Sequence, residues 1–378
     1  MSEGHRVIPI LASSFERRKA AARPDPSVFL KGQPLGPVHD KLGRPITDLR
    51  ISVIDQCNLR CGYCMPKEVF TKDYQFLPRE ALLSFEEIEQ LVKAFIPLGI
   101  RKLRITGGEP LLRRSVEDLI ARLAQLKTPQ NQPLEIALTT NGLLLEHKAS
   151  ALKAAGLQRV TVSLDALDTQ LFRELAGVDT GEPKQVLAGI AAARSLGLET
   201  KVNMVVQKGV NDHQILPMAK AFRDMGDTLR FIEFMDVGNA NQWRLDQVIS
   251  AAEILHRLES EFEFAPVDRA KKHDVAERFI YKDRPVEFGV IASITRPFCL
   301  DCSRARISSE GLLYTCLFAD NGTDLRAVLR SSSTQDDLTA IVAEIWGRRE
   351  DRYSDLRQSM TKEARPDRSK VEMSYIGG

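Results

Sequence analysis

From Leu49 onward the chain alternates between two hydrophobic rhythms. Short β-branched or aliphatic runs predict six strands: "LRISVI" at 49–54, "KLRIT" at 102–106, "EIALTT" at 135–140, "RVTVSL" at 159–164, "TKVNMVV" at 200–206 and "LRFIEFM" at 229–235. Segments of helical period, such as "SFEEIEQLVKAFIPLG" and "SVEDLIARLAQLK", separate them. In the first of these, Ser84 and Glu87 have the spacing of a capping box, and Gly99 supplies the stop. Repeated βα units predict an α/β fold, an incomplete (β/α)6 TIM-type barrel with its functional end at the C-terminal ends of the strands. A doubly wound open sheet is the alternative that pattern alone leaves open. After about residue 245 the rhythm changes. "RFIYKD", "VEFGVIA" and the hairpin-like "RARISSEGLLYTCL" predict antiparallel strands in a smaller C-terminal α+β layer. The expected division is a partly ordered extension at 1–44, the partial barrel at 45–245 and a C-terminal domain at 246–378.

Composition narrows the function. A hydrophobic content of 43% in 378 residues is enough to bury a sizeable core. The formal net charge of +2 gives no global field toward nucleic acid or an anionic membrane, and neither is expected as a partner. No run approaches the roughly 20 apolar residues of a membrane span. The N-terminal stretch makes a poor secretory signal and a weak transit peptide, so a cytoplasmic location is expected. Thiols stay reduced there, which favours metal or redox chemistry over disulfides.

Half of the six cysteines lie in "CNLRCGYCMP": Cys57, Cys61 and Cys64, directly after the first strand. A structural zinc wants four ligands, and neither a fourth cysteine nor a close histidine is present. Three thiolates suit an iron–sulfur cubane in which one iron is left open to a ligand that is not protein. The other half, Cys299, Cys302 and Cys316, is again a set of three. A zinc completed by a distant Asp or His is an alternative there, beside a second cluster whose open iron faces a substrate atom. Arg304 and Arg306 alternate on a strand and share one face, which suggests a phosphate-bearing substrate held by forked hydrogen bonds. Arg50, Arg104 and Lys201 sit among aliphatic neighbours on barrel strands, and so many cations around one cavity argue for a polyphosphate. The terminal Gly377 and Gly378 follow Met373, Tyr375 and Ile376, which can dock the segment and leave the glycines as a thin thread into a cavity.

The spacing of the first cysteine set, Tyr63 before its last cysteine and "GGEP" after the second strand resemble the radical SAM superfamily. Together with "DKLGRPITDLRIS", "LTTNG", "RFIEFMDVGNANQW", "CSRARIS" and the terminal "YIGG", they resemble the GTP 3′,8-cyclase (MoaA) family of molybdenum cofactor biosynthesis, from about Asp40 to Gly378. That resemblance implies two [4Fe–4S] clusters, with S-adenosylmethionine on the first and GTP between them. It implies SAM contacts at Tyr63, Gly108, Ser163 and Met235, and a GTP set of Arg50, Arg104, Thr139, Lys201, Arg304 and Arg306. A deoxyadenosyl radical abstracts the ribose 3′ hydrogen, and C3′ then attacks guanine C8. Arg304, Arg306, Gly377 and Gly378 are placed at this chemistry. An external one-electron reductant and product hand-off to a cyclic pyranopterin monophosphate synthase are implied, and a homodimer is admitted. The rivals from other classes are a radical SAM peptide-modifying enzyme and a non-catalytic zinc or Fe–S protein.

Overall fold

A computed structural model describes residues 36–268, 274–357 and 370–377. The six predicted strands are present as β1 (Asp48–Ser52), β2 (Lys102–Thr106), β3 (Glu135–Thr140), β4 (Arg159–Ser163), β5 (Glu199–Val206) and β6 (Thr228–Glu233). All pair in parallel, and they stand side by side in chain order. That order decides between the two expected architectures. A doubly wound sheet reverses its order at a switch point; this one never does between β1 and β6. Crossovers of one hand between successive neighbours place every helix on the same face, leaving the other face to curl around a cavity.

The strand residues obey this two-sidedness. Leu49, Ile51, Leu103 and Ile105 are fully buried toward the helices, each burial being worth about 1.5–3 kcal/mol. The residues between them, including Asp48, Arg50, Lys102 and Arg104, lie on the opposite face. The helix Phe85–Phe95 starts with the expected box: the Ser84 hydroxyl accepts from the Glu87 amide (3.1 Å), and the Glu87 carboxylate accepts from the Ser84 amide (2.8 Å). Gly99 ends this segment at φ 116°, a conformation that favours glycine.

The C-terminal strands do more than form a layer of their own; they lengthen the sheet at both edges. Beyond β6 lie β9 (Glu287–Ile291), parallel to it, then β8 (Glu277–Tyr281) and β7 (Phe264–Val267), antiparallel. Beyond β1 lie β10 (Arg304–Ile307), parallel to it, then β11 (Leu312–Tyr314) and β12 (Thr323–Asp324). Pro266 is tolerated in β7 because that strand is the outer edge.

The expected extension at 1–44 also needs adjustment. Residues 1–35 lie outside the described residues, but Asp40 and Arg44 are buried against the C-terminal region. The boundary at 44 therefore cuts through a packed segment. Its ion pairs join residues more than 300 positions apart, which local sequence pattern cannot reveal. No helix among the described residues is long and apolar enough to cross a membrane.

Candidate active site

Cys57, Cys61 and Cys64 follow β1 at the C-terminal end of the strands, where βα loops gather. The Cys64 and Met65 amides donate to the Cys61 carbonyl, and the Leu59 amide donates to Cys57 Sγ at 3.4 Å. Burial pushes the Cys57 thiol up to about 11, with the Glu109 carboxyl adding to it. Burial also raises Cys61, with its fellow thiols and Asp165 adding, and Cys64, with Cys57 and Glu372 adding.

The "GGEP" motif closes on the same loop. The Gly108 amide donates to the Ile54 carbonyl and the Glu109 amide to that of Gln56. A Cβ at Gly108 would overlap the Gln56 carbonyl. The glycine expected to admit a ligand is thus already required by the close approach of two protein backbones. The Glu109 carboxylate accepts from the Thr140 hydroxyl and from the Leu111 and Asn141 amides, while burial raises it to about 7. Tyr63 donates to Asp165 at 2.8 Å, two positions after Ser163 at the end of β4. Met235 lies in the loop after β6, its carbonyl held by the Asn241 amide group.

The inner face of the sheet is densely cationic. Arg306, Arg50 and Arg104 are register neighbours on β10, β1 and β2. Burial, then the charges of Arg306 and Arg104, hold Arg50 well below its ordinary value. Arg306 is likewise lowered to about 10, by burial and then Arg304. Arg104 donates to the hydroxyls of Thr139 (3.2 Å) and Thr161 (3.3 Å). Lys201 is tied to Glu199 at 2.9 Å. Two cations missed in the sequence belong with these. Arg230 on β6 donates to Thr161 and is lowered to about 9 by burial and then Arg104. Lys102 on β2 is lowered to about 8 by burial and Arg104. Both follow the strand alternation that singled out Arg50 and Arg104. The Nε atoms of Arg50, Arg104 and Arg230 are buried without an acceptor among the described residues.

Cys299 and Cys302 precede β10, and Cys316 follows β11. The Phe318 amide donates to Cys316 Sγ at 3.4 Å, repeating the contact made at Cys57. Burial alone would raise Cys302, but the guanidiniums of Arg304, Arg349 and Arg306 outweigh it and bring the thiol to about 6. Cys316 is pushed up to about 12 by burial and Asp351. Arg304 also stacks over Phe298 at 5.1 Å.

The C-terminal segment reaches this same face. Arg306 donates to the Gly377 carbonyl at 3.3 Å, and a Cβ on Gly377 would overlap Thr106 at the end of β2. Tyr375 donates to the buried Glu310. The Glu372 carboxylate accepts from the Asn239 (2.9 Å) and Ala240 (3.2 Å) amides in the loop after β6. Gly378 lies outside the described residues.

Residues 51–222 match the Radical SAM superfamily model, and residues 227–355 match Molybdenum Cofactor Synthesis C. A GTP 3′,8-cyclase of Staphylococcus epidermidis is 47% identical across 90% of this chain and 99% of its own. One of Acidothermus cellulolyticus is 49% identical at the same coverage. The chain belongs to the GTP 3′,8-cyclase family. The fold is also that of Streptococcus suis SuiB bound to S-adenosylmethionine, at a TM-score of 0.55 and 18% identity over 85% of this chain and 70% of that one.

Membership of the radical SAM superfamily implies one [4Fe–4S] cluster and SAM, and the first cysteine set fits that cluster. Its three half-buried thiols are within each other's electrostatic reach, and desolvation opposes their ionisation until a cationic metal centre is present. Among the described residues no three His, Cys, Asp or Glu converge as a single metal ion requires. Thiolates on a cubane end on separate irons and need no such convergence. Asp165 and Glu109, which brace Tyr63 and the Asn141 turn, were not singled out from the sequence; "VSLD" and "GGEP" contained them without showing their partners.

Proposed function

We propose that this chain converts GTP to 3′,8-cyclo-7,8-dihydro-GTP, the first step of molybdenum cofactor biosynthesis, with two [4Fe–4S] clusters and SAM. The supporting observation is the row of buried guanidiniums at Arg306, Arg50 and Arg104, joined by Arg230; the Nε donors of Arg50, Arg104 and Arg230 find no acceptor among the described residues. Such a face is unfavourable by itself and becomes favourable when a polyanion fills it. A nucleoside triphosphate has that charge.

When bound, the first cluster and SAM supply the 5′-deoxyadenosyl radical that starts the cyclisation. Cys57, Cys61 and Cys64 hold that cluster, while Tyr63, Gly108, Ser163 and Met235 shape the SAM site around it. Arg50, Arg104, Lys201, Arg304 and Arg306 take the phosphates, with Arg230 and Lys102 adding charge. Thr139, fixed by Arg104, sits on the same wall. Cys299, Cys302 and Cys316 would hold the second cluster, which would supply an iron site open to the substrate. Gly377 sits beside Arg306, and the terminal Gly377 and Gly378 would orient the ribose and exclude water from the radical.

The reaction needs an external one-electron reductant. The product passes to a cyclic pyranopterin monophosphate synthase, a homodimer suits the family, and the cytoplasm is the compartment that keeps both cysteine sets reduced. Anaerobic incubation of reconstituted protein with GTP, SAM and dithionite, followed by mass spectrometry, tests the assignment. The expected result is 5′-deoxyadenosine together with a cyclised nucleotide isomeric with GTP. SAM cleavage with GTP recovered unchanged rejects it.

A further inference from the structure

A buried ionic unit stands behind the second cysteine set. Asp40 Oδ2 accepts from Arg44 Nε at 2.6 Å and from Arg349 Nη1 at 3.1 Å. Its Oδ1 accepts from the Leu42 and Arg44 amides, both at 2.9 Å. All three side chains are at most 1% exposed. Trp346 locks the unit from below: its ring lies under the Arg349 guanidinium at 4.5 Å, and its indole N–H donates to the Arg44 carbonyl at 3.0 Å.

The same two guanidiniums also hold the cysteine loop. Arg44 Nη1 donates to the Cys299 carbonyl (2.7 Å) and the Asp351 carbonyl (2.8 Å). Arg349 Nη1 donates to the Cys302 carbonyl at 2.8 Å. Two neighbouring residues of the triad are therefore held through their backbones by two cations that share one anion. Arg44 Nη2 is buried and finds no acceptor among the described residues. A second carboxylate, Asp351, lies 3.4 Å from Arg349 Nε, but it is about one-third exposed and correspondingly screened.

An uncompensated buried cation is costly unless an anion lies beside it. The thiolates of the adjacent triad supply that anion, and Arg349 is within electrostatic reach of Cys302. We propose that Asp40, Arg44 and Arg349 form a positioning unit that fixes the Cys299–Cys302 loop and raises the reduction potential of the cluster held there. This rests on the reading that the second triad binds a [4Fe–4S] cluster. Three thiolates make such a cluster anionic, and the electron taken from the external reductant adds one more negative charge. Nearby cations favour the reduced form.

The test uses the full chain with Cys57, Cys61 and Cys64 replaced by Ser, so that only the second cluster gives an electron paramagnetic resonance signal in a mediated redox titration. Arg349→Gln should lower the reduced-to-oxidised ratio about tenfold at the parent's midpoint, a fall of about 59 mV for one electron. Asp40→Asn removes the shared anion and should move the midpoint the other way. Arg349→Lys keeps the charge and should leave the midpoint near that of the parent, while a chelator strips its iron faster because the carbonyl contact is lost. If Arg349→Gln fails to fold, the other two variants decide. Mere loosening of the loop would shift every variant in one direction, and that result, or unchanged midpoints, overturns the proposal. A parent chain without iron at this triad overturns the cluster reading and the proposal with it; iron present with unmoved midpoints overturns the proposal alone.

Discussion

The two cysteine sets have the same number of thiols and opposite surroundings. In the first, each thiol has an acid for a neighbour: Glu109 by Cys57, Asp165 by Cys61 and Glu372 by Cys64. In the second, Cys302 faces Arg304, Arg349 and Arg306, while Cys316 has an acid, Asp351. Adding an electron to a cluster is harder among carboxylates and easier among guanidiniums. The first surrounding suits a strong reductant for SAM. The second suits a site where an anionic substrate is gathered. On the proposed two-cluster reading, the same set of three thiols would be turned to two tasks by what stands behind it.

The largest test of this contrast exchanges the lesions. Cys64→Ser should abolish 5′-deoxyadenosine formation while the second site keeps its iron. Cys316→Ser should remove the second cluster and cyclisation while some uncoupled SAM cleavage persists. Iron analysis with product chromatography checks both; full cyclisation in either variant would break the comparison.

Removal of Gly377 and Gly378 should come next in size. Iron, SAM binding and 5′-deoxyadenosine should stay near wild-type, with cyclised product nearly lost, because Gly377 lies against Arg306 on the cationic face. A Gly-Gly-ending peptide in excess should restore part of the yield. Wild-type yield from the truncated chain would reduce the tail to a passive end.

Arg306→Ala should weaken GTP binding by about 1.5–3 kcal/mol, as loss of a charge-assisted contact does. Arg306→Lys should recover only part of this, since it lacks the fork. Calorimetry should find SAM affinity unchanged; equal losses for both ligands would mean a folding defect instead.

The smallest effect concerns the metal-free chain. Cys302 ionises near pH 6 and Cys57 near 11, so at pH 7.5 the thiolate fraction favours Cys302. The more basic thiolate is intrinsically the better nucleophile, which leaves an advantage of about tenfold for Cys302. Alkylation followed by peptide mapping should show the Cys302 rate levelling off above pH about 6 to 7 while that of Cys57 keeps climbing. Identical pH profiles would erase the electrostatic difference between the sets.

Much of this molecule was legible before its structure. "KLRIT" and "EIALTT" coincide with β2 and β3, because a buried parallel strand is written in a short aliphatic run. Arg50 and Arg104 stood out because a charge between aliphatic strand residues must face the other way. Arg230 obeyed the same rule and was overlooked in "LRFIEFM". The pairing of β10 with β1 and of β9 with β6 was hidden, since alternation identifies a strand and says nothing of its partner. Asp40, Arg44 and Arg349 were hidden for the same reason in a stronger form. Each is an ordinary charged residue locally, and only the folded chain brings them together.

That late pairing has a consequence for biogenesis. β1 and β6 are finished early in synthesis, yet β9 and β10, which cover their open edges, are among the last strands to leave the ribosome. Until then the nascent barrel presents two unpaired parallel edges, and long-range closure of this kind is intrinsically slow. A chain stopped after β6 would carry the first cysteine set on a sheet whose two open edges invite edge-to-edge association until β9 and β10 arrive.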